Sequence, residues 1–559
     1  MEFLGLHYSI WIVLVLYFAG MLLMGWWSKR GAHSQEGYLL GNRQFGWPMM
    51  VMHAFGAGTH PGNVAGVMSE SVVSGASGIW ISWMWLFGTP FYWIIAPIVR
   101  RMRCLTMADF FEQRFGKSAS ILYIFVAAAG MIVFLAGVLL ATTRTVQGMM
   151  GKAATQDSEI WFFGILFVST AVFIIYSYWG GIIAAIRTDM IQGLMIIALS
   201  FIAIPAALGL KEVGGLSGVH TTLEAQNSNY LSLFDPKSFN LLTVLLLSIN
   251  APLTALAFPH LMSVCGAGRT EWEGRVGFTY GNVLKRICTI GWAVLGLCWL
   301  AYLINTGSAI HKDAAFGDSI RTLFSAPLQP LQGVMLACVM AAAMSSGDAV
   351  QVTVAGLFSQ NLYRVYVNPK ADEKQLVHIT RMVGIVIALL SLAGAILMRS
   401  SLVKAILDYF NILSLVGIST AMGILWRRMN TTGMFSSTIS AVFTFILTRY
   451  VIEYTSGIRA ITIGAPILVG MLAGVAGSLV TKPPKREVIE KFFTKIYIPI
   501  GQDKKLELPL DEAVPESRRL LTTGGLFIVK PSRQSWIGFL VALGICIACV
   551  LFMLAILNL

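Results

Sequence analysis

The sequence predicts an all-α polytopic membrane protein, and three observations carry that prediction. Apolar residues make up 56% of the 559-residue chain and charged residues only 12%, about half the charge of an ordinary soluble domain. The mean hydropathy is +0.73. The apolar residues recur in about fourteen runs along the whole chain, each near the roughly 20 residues that cross hydrocarbon. Such a composition cannot cover a globular surface, which excludes a soluble enzyme or scaffold, and the even spread excludes a single-span receptor. In lipid each span must satisfy its own backbone hydrogen bonds, so the expected bundle is helical. The net charge of +13 then reads as loop asymmetry rather than nucleic-acid binding.

The first run, Tyr8–Trp27, has no basic residue before it and is followed by Lys29-Arg30. That pattern marks a retained span in a leading segment, 1–44, rather than a signal peptide. Phe45–Met68, Ile79–Val99, Ser120–Thr143, Ile160–Tyr178 and Met190–Leu210 follow, the five forming a block over 45–210. A second block, 241–426, holds Leu241–Val264, Ile287–Ile304, Leu331–Leu362, Val377–Met398 and Ala405–Trp426. Two peripheral runs, Phe435–Val451 and Ile463–Val480, occupy 427–481. The charged stretch 482–535, with a short helix expected at Arg486–Lys495, reads as a cytoplasmic linker to a last span, Trp536–Leu557, in 536–559.

Placing the N-terminus outside makes alternate loops cytoplasmic. Those loops carry Arg43, Arg100, Arg101, Arg103, Arg114, Arg269, Arg275, Lys285, Arg286, Arg364, Arg427 and the linker's basic residues. Roughly three-quarters of all Lys and Arg then face one side, as the positive-inside rule requires, with both termini extracytoplasmic. The seven cysteines fall in spans or at cytoplasmic ends, which implies no disulfide framework. Outer loops lack an Asn-x-Ser/Thr sequon, consistent with a bacterial inner membrane.

Two runs are too rich in glycine and proline to be continuous helices. The second span contains Gly56-Ala57-Gly58-Thr59-His60-Pro61-Gly62, and the seventh contains Asn250-Ala251-Pro252 and Phe258-Pro259-His260. Proline removes a backbone donor and clashes with the preceding turn, while glycine leaves the backbone loose. One interrupted helix is a common packing kink. Two, each opening a block of five spans, point to a transporter of inverted repeats whose freed carbonyls line a site near the midplane. His60, Asn63, Asn250 and Thr254, beside the breaks, are the candidate solute contacts.

In the ninth span Ala342, Ser345 and Ser346 share one helical face as i, i+3 and i+4. Hydroxyls there either bond back to a carbonyl one turn earlier or offer hard oxygen ligands to a small cation. Asp189 and Asp348 are carboxylates within spans, each unfavourable by about 2.5–3.5 kcal/mol at a helix centre, and a cation or a proton would neutralise either. Asp189 heads its span, so a solvated helix end is its competing reading. His53, His60 and His260 form no His-Glu-x-x-His pattern, and read as structural or solute-contacting rather than metal-binding. Arg144, near an outer helix end, is expected to snorkel.

Four stretches resemble the sodium/solute symporter family. They are Leu105-Thr106-Met107-Ala108-Asp109-Phe110-Phe111-Glu112-Gln113-Arg114-Phe115-Gly116, then Gly180-Gly181 running to Thr188-Asp189-Met190-Ile191-Gln192, then Ala342 with Ser345-Ser346, then Arg427-Arg428-x-Asn430-x-x-Gly433. They occur in family order across most of the chain. The resemblance implies a leucine-transporter-type core, a 5+5 inverted repeat with one leading helix and three following ones. It also implies a sodium site formed by the carbonyls of Gly56, Thr59 and Ala342 and the hydroxyls of Ser345 and Ser346. Some members have a second cation site at positions matching Asp189, Ser345 and Asp348; here Asp348 replaces a hydroxyl, so that site is open to a proton as well. The chain departs from the family pattern at Arg187, where the signature has Trp, and at Gly58, where proline transporters carry Asp. Their aromatic solute positions fall on Ala251 and Ala255. These departures disfavour a proline transporter.

The expected function is secondary active symport, with inward sodium movement driving uptake of a small organic solute by alternating access. A sugar, polyol or carboxylate is favoured. Sodium is the coupling ion and no cofactor is expected; the partners are solute, sodium and the lipid bilayer, not nucleic acid. No catalytic motif is present, so no enzymatic activity is expected. The alternatives are proton-coupled symport through Asp348 or Asp189 and, less favoured, a transporter-like sensor signalling through 482–535.

Overall fold

The computed structural model describes the chain apart from residues 1, 4, 29–34, 154, 180–181, 237–238, 454–458 and 522–524. Helical segments occupy all fourteen expected stretches. Among the described residues eleven helices are long and apolar enough to cross a membrane, and Tyr8–Met21 and Leu241–Ala257 are shorter apolar ones.

In chain order, α1 (Tyr8–Ser28) leads, and α2 (Trp47–Gly58) and α3 (Pro61–Ser74) are the halves of the first broken helix. Then come α4 (Tyr92–Arg101), α5 (Lys117–Met149), α6 (Ser158–Trp179) and α7 (Ile182–Leu208). The second broken helix is α8 (Leu241–Ala257) with α9 (Leu261–Gly266). After it run α10 (Glu271–Thr306), α11 (Gln329–Gly356), α12 (Glu373–Leu397) and α13 (Leu402–Leu425). Four more follow: α14 (Thr431–Leu447), α15 (Arg459–Val480), α16 (Arg486–Tyr497) and α17 (Arg533–Leu557).

The apolar runs divide by what they touch. Helices α11 and α13 are mostly buried in protein, whereas α6, α14 and α17 leave most of their apolar surface outward, as lipid-facing helices must. The two half-helices α2 and α3 lie inside the bundle. Helix α2 packs on α7, α10 and α11, and α3 packs on α5, α10 and α13. Every functional candidate below sits on one of these helices or beside it.

Loops expected on the same membrane face do meet. Arg101 forms a two-pronged ion pair with Glu271, at 2.9 and 2.7 Å. Arg43 donates to the Gly266 carbonyl, and Thr431 donates to the Phe115 carbonyl. On the opposite face Asp313 accepts from Ser69 and from the Leu402 amide.

Several expectations change. The third span is not one helix: a short helical turn, Trp80–Trp83, is followed by turns and a 3-10 segment before α4. Gly88 lies in that irregular stretch, and a Cβ on it would stand 2.6 Å from Ala251 Cβ, so the chain passes tightly across α8. In α8, Pro252 stays within the helix, and the interruption falls at Phe258–His260 instead. Arg144 does not snorkel. It is buried, donating to Gln147 at 2.8 Å and the Arg399 carbonyl at 3.1 Å, and its guanidinium lies over the Phe162 ring. Within 482–535 the helix expected at Arg486–Lys495 runs to Tyr497 as α16 and packs on the bundle: Phe492, Phe493 and Ile496 are buried, and the Arg103 guanidinium bonds the carbonyls of Lys495 and Ile498.

Lys285 and Arg286 lie in a membrane helix rather than ahead of one. Helix α10 begins at Glu271 behind a Thr270 cap, not near Ile287, so both residues lie within it, roughly 21 Å from its start. They are 4% and 1% exposed, inside the bundle rather than in a cytoplasmic loop.

Candidate ion and solute site

The first break has a local cause. Thr59 and His60 are extended, and Pro61 opens α3 at its first position, where a missing N–H leaves no bond unmade. The Thr59 amide turns back to the Gly56 carbonyl at 3.1 Å, and the His60 amide donates to Asn63 Oδ1 at 3.0 Å. The end of α2 therefore presents carbonyl oxygens to whatever packs against it.

What packs there is oxygen-rich. Ser346 Oγ donates to the Gly56 carbonyl at 3.0 Å. Ser345 Oγ makes a short hydrogen bond to Asp189 Oδ1. The other carboxylate oxygen of Asp189 is 2.7 Å from His53 Nδ1, with both side chains fully buried. Glycine at position 56 lets the cluster close: a Cβ would stand 2.5 Å from Ser345 Oγ and 3.2 Å from Asp189 Oδ1, and would push them aside. Three helices thus converge on one point. Asp189 is not at a solvated helix end, because α7 starts two turns earlier and its carboxylate points into the bundle. Thr59 and Ala342 are buried on α2's exit and on α11. The side chain of Asp348 lies outside the described residues.

A second feature lies at the end of α2, a cavity of about 40 Å³, room for roughly three waters. Its walls include Trp85, Phe134, Phe258, Asn282, Lys285 and Tyr409. The aromatic rings brace each other: Trp85 stacks on Phe258 at 5.4 Å, and Phe134 meets Tyr409 edge-on at 5.0 Å. The Lys285 ammonium donates a short hydrogen bond to the Gly58 carbonyl.

Helix packing places that lysine. Gly277 and Gly281 are one turn apart on α10, and a Cβ on them would meet Met50 Cβ at 2.7 Å and the Val51 carbonyl at 2.5 Å. Small residues spaced by four let two helices approach closely. Lys285 is the next residue on that face, and it meets Gly58 two turns beyond Met50.

None of the four expected solute contacts lines this cavity. The His60 ring packs 4.8 Å from Phe134 and 6.0 Å from Tyr409, behind the wall. Asn63 caps α3. Asn250 donates to Asn411 Oδ1 at 3.1 Å, and Thr254 reaches the Phe410 carbonyl at 3.0 Å, so both fasten α8 to α13. The lining aromatic residues come from scattered spans and carried no local signal. Lys285 did: Thr270-x-x-Glu273 is a capping box that marks the start of α10.

Two interrupted helices inside a polytopic bundle, with an oxygen cluster and a cavity at the first break, define a secondary transporter. Residues 38–440 match the sodium:solute symporter family, and the chain belongs to that family. It is a membrane transporter rather than an enzyme, with sodium as coupling ion and a small organic solute as cargo. Among relatives, the osmoregulated proline transporter OpuE of Bacillus subtilis is 28% identical over 502 residues, covering 86% of this chain and 96% of that protein. The sodium/proline symporter of Escherichia coli is 23% identical over 462 residues, covering 78% of this chain and 87% of that one. Among solved structures, a Na+-coupled sialic acid symporter, described as substrate-bound and outward-open, superposes with a TM-score of 0.70 at 19% identity. That match covers 87% of this chain and 99% of the other, and it shows the fold.

Proposed function

We propose that this protein imports proline together with sodium across a bacterial plasma membrane, by alternating access of two inverted five-helix repeats. The observation that carries the coupling half is the meeting of the Gly56 carbonyl, Ser345, Ser346 and Asp189 at the break. These are hard oxygens of the kind a small cation selects. Sodium would turn the two hydroxyls from donors within the cluster into ligands, joined by carbonyls of Thr59 and Ala342. That exchange ties α2 to α11 and so favours one arrangement of the repeats over the other.

The names of the full-length relatives support proline and displace the expected preference for a sugar, polyol or simple carboxylate. The sequence features that disfavour proline lose weight beside the cavity. Ala251 and Ala255 offer no aromatic surface, but Trp85, Phe134, Phe258 and Tyr409 provide it from other helices.

Each sodium entering down about 100 mV contributes about 2.3 kcal/mol. The test is uptake of labelled proline into proteoliposomes under an imposed sodium gradient. Accumulation should follow that gradient and vanish when it is collapsed. Uptake that ignores sodium and follows a pH gradient would favour the proton-coupled reading through Asp189 or Asp348.

A further inference from the structure

We infer that Lys285 is the carboxylate anchor of the solute site, so that the cargo is an acid or zwitterion held by its carboxylate with its carbon body among Trp85, Phe134, Phe258 and Tyr409. This rests on the cavity beside Gly58 being the solute chamber.

Four observations carry it. Lys285 lines the cavity and is 4% exposed. Its ammonium has three N–H donors, and the Gly58 carbonyl is its one hydrogen-bond acceptor among the described residues. No ion pair among the described residues involves Lys285 or its neighbour Arg286. Arg286 directs Nη1 to the Ser82 carbonyl at 2.8 Å and Nε to Thr89 Oγ1 at 3.2 Å, holding the irregular third span.

Two adjacent basic side chains are thus buried together, and no acid among the described residues pairs with either. An ionised side chain within a membrane bundle is costly and ordinarily pairs with an opposite charge. Asp189, on the far side of α2, is engaged by His53 and Ser345. The other titratable walls of the cavity are Arg286, Tyr92, His260 and Tyr409, none of which brings negative charge at neutral pH. An arriving carboxylate supplies the missing charge and can accept the remaining ammonium donors. The aromatic wall fits the apolar part of a small ring or chain.

The position has a further logic. The resemblance puts an Asp of proline transporters at Gly58; here the side chain is gone and a cation from α10 bonds the same residue's carbonyl. A Cβ at Gly58 would find its nearest neighbour, Asn282 Oδ1, 3.6 Å away, so the glycine leaves open space in front of the ammonium.

The test uses the full-length protein in detergent with sodium and a panel of one ring skeleton: proline, cyclopentanecarboxylate and prolinamide. Thermal protection is measured for wild type, Lys285→Gln and Lys285→Arg. At least one of the two acids should protect wild type while prolinamide does not. Lys285→Gln should bind the protecting acid ten- to a hundredfold more weakly, as for loss of a charged hydrogen bond, and Lys285→Arg should recover part of it. Comparing proline with cyclopentanecarboxylate separates recognition of a zwitterion from recognition of a bare anion. Prolinamide protecting as well as the acids, no protection by either acid, or undiminished binding in Lys285→Gln would overturn the proposal. Should Lys285→Gln fail to fold, the acid-against-amide comparison in wild type still decides. Acid-specific protection without sodium-driven proline uptake would sink the proline reading and leave the anchor standing.

Discussion

Gly56, Ser345, Ser346 and Asp189 are close enough that one added atom matters. Gly56→Ala puts a methyl 2.5 Å from Ser345 Oγ, so sodium should no longer protect that variant against heat. Gly164→Ala is the matched control, since a Cβ there meets nothing within 4 Å, and its sodium response should equal wild type. Ser345→Ala removes one hydroxyl and its hydrogen bond to Asp189 Oδ1; Ser346→Ala removes the other and leaves the Gly56 carbonyl only the Thr59 amide. Each should raise the sodium concentration for half-maximal uptake at least about tenfold, roughly 1.4 kcal/mol. A sodium titration of uptake reads it directly. Single hydroxyls and the intramembrane acids were legible from sequence because helical periodicity puts Ala342, Ser345 and Ser346 on one face. The partner of Asp189 was not: His53 is 136 residues away, and only the packing of α2 on α7 joins them.

Among the elements, the two interrupted helices announced themselves by Gly and Pro, but which proline breaks a helix is decided by its neighbours. Pro61 begins a half-helix, whereas Pro252 sits in a continuous α8 and Pro259 lies at the true gap. Length misled at α10. Its apolar run starts near Ile287, yet the helix extends from Glu271 because its first turns pack on protein rather than lipid, and that error hid Lys285. The spacing of Gly277, Gly281 and Lys285 makes α10 the element that sets the cavity's charge. Gly281→Leu forces bulk where a Cβ is already 2.5 Å from the Val51 carbonyl. Overpacking of this kind is unfavourable by about 1–3 kcal/mol. The variant should lose both thermal stability and solute protection, since the lysine moves away from Gly58 with its helix. A scan of melting temperature with and without solute checks both.

Taken whole, the molecule has two loop-bearing faces that the basic residues distinguish. The seven native cysteines are all buried, so one introduced cysteine reports its own side of the membrane. Gln502 and Ser308 are exposed on opposite expected faces. An impermeant maleimide should label Ser308→Cys in intact cells and Gln502→Cys only in inside-out vesicles; the reverse pattern would invert the topology. The fold class was readable at this scale because lipid permits so few architectures. The solute chamber was not, since its walls come from the second, third, fourth, seventh and eleventh expected spans and from the stretch before the eighth, and exist only once those segments pack.

The most direct test of coupling at the first break follows labelled sodium and labelled proline together in proteoliposomes, for wild type and for the double variant Ser345→Ala with Ser346→Ala. Proline should stimulate sodium entry in wild type and not in the double variant. Proline accumulating equally in both, with no accompanying sodium, would contradict that coupling.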